Sequence, residues 1–77
     1  LIGLSWERRL QLIAVVMLVL IVELLNTAIE KLADRVTTER DPLIGYVKDM
    51  GSAAVAVAII IAGLTWLLAA AERLLAL

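Results

Sequence analysis

One carboxylate, Glu23, interrupts an otherwise uncharged apolar run over residues 10–29. A charged side chain at the centre of a membrane helix costs on the order of 3 kcal/mol, and less nearer an interface. Withdrawal from water disfavours the charged form of a carboxylate, which brings such groups toward the range where they act as bases near neutral pH. On a helix turning about 100° per residue, Glu23, Asn26, Thr27, Glu30 and Asp34 fall in a sector roughly 100° wide. Leu24, Leu25, Ile29 and Leu32 occupy the opposite face. Such a stripe suits two kinds of work. Glu23 can accept a proton, and Glu30 with Asp34, one turn apart, can offer oxygen ligands to a divalent cation. The plainer alternatives are that Glu23 and Asn26 are hydrogen-bonding glue between helices, and that Glu30 and Asp34 are ordinary charges on a solvated helix end. Lys48 and Asp49 stand at the mouth of a second apolar run, where a lysine by default snorkels to the surface.

The elements that must hold these groups follow from the two apolar runs, residues 10–29 and the uncharged residues 50–71. As helices they reach roughly 30–33 Å, the thickness of a bilayer core. In hydrocarbon every backbone N–H and C=O must be paired internally, and neither run alternates like a barrel strand, so both are read as helices. Residues 30–36 contain no breaker and continue the first helix beyond the membrane. Residues 37–41 read as a turn, because the residue before Pro42 is pushed out of helical geometry. Asp41 and Pro42 suit the N-cap and first position of the next helix. The expected fold is an all-α integral membrane hairpin forming a single domain over 1–77. It comprises a transmembrane helix over 10–36 extending past the membrane, a turn over 37–41, and a second helix over 42–73 with its apolar span at 50–71. Small residues Gly51, Ala54, Ala58 and Ala62, with Ser52 nearby, mark the expected helix–helix contact. Trp6, Trp66 and Tyr46 are expected near the interfaces.

Composition excludes several function classes. The chain has 77 residues, 64% of them hydrophobic, and too little polar surface to coat a soluble domain of this size. It contains no Cys and no His, which removes thiol chemistry and the commonest neutral-pH acid/base group. A formal net charge of −1 argues against a nucleic-acid partner. No GxxxxGK phosphate loop is present. Lys31, Arg35, Arg40 and Lys48 between the spans, against Arg8, Arg9 and Arg73 on the other side, favour a cytoplasmic connection. A chain that opens on Leu1, without a signal-peptide pattern, reads as part of a longer polypeptide.

Two motifs carry a family resemblance. ELLNTAIE at residues 23–30, followed by Asp34-Arg35, and KDMGSAAV at 48–55 together resemble the prokaryotic diacylglycerol kinases, in that family's order and over nearly the whole chain. Undecaprenol kinases share an ELLNTAIE-like block but more often vary the second, so the second block leans toward diacylglycerol. The resemblance implies an ATP-dependent lipid kinase that uses Mg²⁺. It also implies a homotrimeric bundle of three-transmembrane-helix protomers in the bacterial inner membrane. It makes Glu23 the catalytic base, Asn26 a group that positions the reactants, and Glu30 a metal ligand that also contacts nucleotide. Glu39, Arg40, Asp41, Lys48 and Asp49 become nucleotide contacts. Glu23 and Ser52 meet the lipid substrate, with Arg9 a weaker match near the opposite membrane surface.

The family's surface helix, its first transmembrane helix and a second metal-binding Glu from that region have no counterpart in these residues. Glu7 does not replace that Glu, because it precedes the first span on the far side of the membrane. The activity of this stretch alone is therefore open. Three other readings stand beside diacylglycerol kinase. They are an undecaprenol kinase, a non-catalytic membrane scaffold, and an ion-translocating rotor hairpin with its one intramembrane carboxylate. The long charged connection and the lack of closely spaced glycines in the first span weigh against the rotor.

Overall fold

A computed structural model describes residues 4–36 and 41–75, which form two long helices, α1 (Trp6–Val36) and α2 (Pro42–Leu75). The N-terminal ends of both are set by side-chain caps. Ser5 Oγ accepts the Arg8 amide at 3.1 Å, which starts α1 ahead of its apolar span. Asp41 Oδ1 accepts the amides of Leu43 at 2.9 Å and Ile44 at 3.4 Å, and the Asp41 carbonyl accepts that of Gly45. These bonds satisfy N–H groups that the first turn leaves without helical partners. Pro42, with no N–H to lose, fills the first helical position.

The helices lie side by side as an antiparallel rod 56 Å long and 16 × 12 Å across. Their register is fixed by three cross-helix contacts: Arg8 with Glu72 at the open end, Asn26 with Gly51 midway, and Asp34 with Lys48 near the connection. The inward residues recur in steps of three and four. Leu12, Val15, Val19, Val22 and Asn26 on α1 face Gly51, Val55, Ala58, Ala62, Thr65 and Ala69 on α2, all buried or half-buried. That alternation is the seam of a left-handed coiled coil. The expected four-residue stripe is therefore corrected at Ala54, which is exposed, while Val55 takes the inward place. Four-residue steps drift off a 3.5-residue seam within two turns.

Small side chains dominate the α2 side of the seam, so the backbones approach closely. Among the described residues Leu12 is the one large side chain fully buried, packed beside Trp66 and Ala69. Thr65 settles its hydroxyl on its own helix, donating to the Ile61 carbonyl at 2.8 Å. Both helices are long and apolar enough to cross a membrane, and in their most apolar stretches only 6% and 11% of residues are buried. A soluble core helix would be mostly covered. These belong against lipid or other helices, and the chain is a membrane protein. At 56 Å the rod outruns a hydrocarbon layer of about 30 Å, so its ends stand in the interfaces and in water.

Replacing Asp41 with Ala should cost about 1 kcal/mol by removing the α2 cap. Hydrogen exchange in detergent should show faster exchange at the Leu43 and Ile44 amides, with α1 unchanged. Unaltered exchange at both amides would mean that the cap does not operate.

Candidate active site

The polar stripe of α1 divides at the seam. Asn26 and Glu30 turn inward toward α2 and are half-buried, whereas Glu23 and Thr27 lie on the exposed side. Asn26 Nδ2 donates to Glu30 Oε1 at 3.1 Å, one helical turn along. Asn26 Oδ1 is buried against Gly51 and has no hydrogen-bond partner. One amide thus occupies the seam and orients a carboxylate beside it. Glu23 has no polar partner among the described residues and does not glue the two helices together. Ser52 also lies outside the seam, next in sequence to Gly51.

Toward the connection, Lys48 Nζ donates to Asp34 Oδ1 at 2.5 Å. That hydrogen bond, helped by the charges of Asp34 and Glu30 and opposed by desolvation, raises the Lys48 pKa above the usual lysine value of 10.5. With 40% and 60% of the two side chains exposed, the pair adds little to stability; its effect is to aim the ammonium. Asp49 is exposed one residue further on. Asp41 spends one carboxylate oxygen on the cap of α2, a structural duty beside the nucleotide contact implied for it. Glu39 and Arg40 lie outside the described residues.

Glu30 is the inward-facing carboxylate at this end, and the amide on its Oε1 orients it as an outer partner orients a metal ligand. A hard oxygen donor of this kind suits a magnesium ion. No three carboxylates converge among the described residues.

Arg9 lies apart from these groups, about 20 Å along α1 from Glu23. Its guanidinium stacks over Trp6 at 5.5 Å from the ring centroid, and its buried Nε has no hydrogen-bond partner. Nearby, Arg8 bridges Gln11 and Glu72, both at 2.6 Å, and clasps the open end. Sequence reading missed that clasp and the Ser5 cap. Ser5 three residues ahead of Arg8 was a visible cap signal, whereas the clasp depends on a register that neither helix reveals alone.

Residues 1–70 match the family model described as prokaryotic diacylglycerol kinase. The chain is 59% identical over 58 residues to the diacylglycerol kinase of Escherichia coli K12, covering 75% of this chain and 48% of that one. It is 53% identical over 66 residues to the diacylglycerol kinase of Pseudomonas aeruginosa, covering 86% of this chain and 54% of that one. The Haemophilus influenzae diacylglycerol kinase is 49% identical over 55 residues, covering 71% and 47% respectively. The chain thus spans about half the length of the curated relatives it matches.

Because the Lys48 pKa is raised, the stabilisation from its pair with Asp34 is fully present below the ordinary lysine value and is lost as pH rises through the raised one. Substituting Asp34→Asn should return the Lys48 titration toward 10.5, read from the ¹³Cε chemical shift. An identical titration in the two proteins would show that the ion pair does not form.

Proposed function

This chain belongs to the prokaryotic diacylglycerol kinase family, and from that premise we propose that it carries much of the active site of an integral-membrane lipid kinase. The reaction moves the γ-phosphoryl of ATP to the hydroxyl of diacylglycerol, giving phosphatidate and ADP. The observation that carries this reading is the order of groups along one end of the hairpin. Glu23 lies within the apolar span, the Asn26–Glu30 pair comes next, and the Asp34–Lys48 pair lies beyond the span. From Glu23 to Glu30 is about 10 Å along the helix, which separates a site for a lipid hydroxyl from a site for phosphates.

Each group then has a task. Glu23 accepts the proton as the lipid oxygen bonds to the γ-phosphorus and the bond to the ADP oxygen breaks. Asn26 holds the Glu30 carboxylate and positions the reacting groups. Glu30 would be a ligand to magnesium, whose charge offsets that of the phosphate oxygens when it is bound. Lys48, aimed by Asp34, adds a cation for the nucleotide phosphates. Asp49, Asp41, Glu39 and Arg40 complete the nucleotide contacts. Ser52, exposed beside the seam, meets the glyceride, and Arg9 serves the lipid near the opposite surface. Catalysis of this kind needs positioning and charge more than covalent work.

A homotrimer in the bacterial inner membrane, with the connection in the cytoplasm, belongs to the same reading. It is supported by the uncovered apolar faces of both helices and by a membrane carboxylate without a partner among the described residues.

The test is transfer of labelled phosphate from ATP to lipid by the full-length protein in mixed micelles. The Glu23→Gln variant should lose about 100- to 10,000-fold in turnover while its oligomer persists. Undiminished turnover would remove Glu23 from the role of base. Diacylglycerol should outperform undecaprenol as acceptor, and the reverse order would reassign the lipid.

A further inference from the structure

Three glycines lie on α2, and they differ in what surrounds them. Gly45 and Gly63 have open space where a side chain would begin. Gly51 is buried, and a Cβ there would fall onto Asn26 Oδ1 and lie 3.2 Å from Asn26 Cγ. The Asn26 amide therefore occupies the volume that a side chain at position 51 would need. An amide has an accepting end and a donating end, so fixing one directs the other. With Oδ1 lodged against Gly51, Nδ2 points to Glu30 and donates to it at 3.1 Å.

We infer that Gly51 is a positioning residue: its missing side chain seats the Asn26 amide in the seam and so holds the Glu30 carboxylate in place. This rests on the reading of Asn26 and Glu30 as working groups of the kinase. It adds a residue that touches neither substrate nor cation and acts across the helix pair. Any side chain at position 51 displaces the amide, because its Cβ would fall on Asn26 Oδ1. Glu30 then loses the donor that orients it.

The experiment uses the full-length protein. Gly51→Ala should lower kcat on the order of 100-fold, the scale expected when a reacting group is misplaced by about 1 Å. KM for ATP and for lipid should change less than about threefold, because the loss falls on the transition state. The side-chain amide signals of Asn26, assigned by NMR in micelles, should move away from their Glu30-bonded positions. Gly63→Ala, with free space at its Cβ, should keep both kcat and the amide signals. In an Asn26→Ala background Gly51→Ala should cost nothing further, because the colliding amide is gone. An unchanged kcat, unmoved Asn26 signals, or an equal loss in the Asn26→Ala background would each overturn the inference. If Gly51→Ala alone fails to assemble, recovery of assembly in the double variant supports the inference and continued failure overturns it. Should the wild-type protein phosphorylate no lipid, the kinase reading fails by itself, and the amide spectra decide the role of Gly51.

Discussion

Two helices immersed in hydrocarbon gain little by hiding leucine from lipid, so their union must come from close approach and from polar groups that find partners only in each other. In this hairpin the close approach is centred on Gly51, and the polar pairs across the helices stand toward the two ends. Gly51 and the alanines after it let α2 come near enough for the Asn26 amide to fill the seam. Asn26 in turn reaches Glu30. A single amide in the seam also specifies register, because the next inward position on α2, Val55, carries a side chain where Gly51 carries none. The ion pairs at the two ends reinforce the same alignment from outside the span.

Much of this was legible in the residues. Two apolar runs of membrane length imposed the hairpin, and Asp41 before Pro42 marked the start of α2. The rotational setting was harder to read. Glu23 and Asn26 share a stripe on a helical wheel, yet the seam passes between them, leaving one exposed and the other inside. Within the apolar span nothing but Asn26 signals that edge, since the other inward residues are valines and a leucine among other valines and leucines. On α2 the abundance of alanine suggested a ladder of fours, although the partner helix demands alternating threes and fours. Pairings such as Arg8 with Glu72 follow only once both rotations are known.

The candidate site depends on this division. A carboxylate turned outward is accessible to a molecule dissolved in the membrane, whereas one turned inward and held by an amide keeps its geometry. Glu23 and Glu30 are chemically alike but differently set: one is exposed and the other is half-buried beside an amide that bonds it. The capping duty of Asp41 and the pairing of Asp34 with Lys48 extend the fixed part to the water side, where a nucleotide would arrive.

The rod is also much longer than the layer it crosses. Its apolar spans match that layer, and Glu30, Lys31, Lys48 and Asp49 adjoin them directly, so a change in membrane thickness moves, relative to the lipid headgroups, these charges together with Glu23. That side chain acts as a depth gauge fixed to a long shaft. The thickness of the surrounding membrane then decides how high Glu23 sits against the glycerol region of nearby lipids. For a reaction at that boundary, lipid chain length becomes a determinant of rate, separate from any preference in binding.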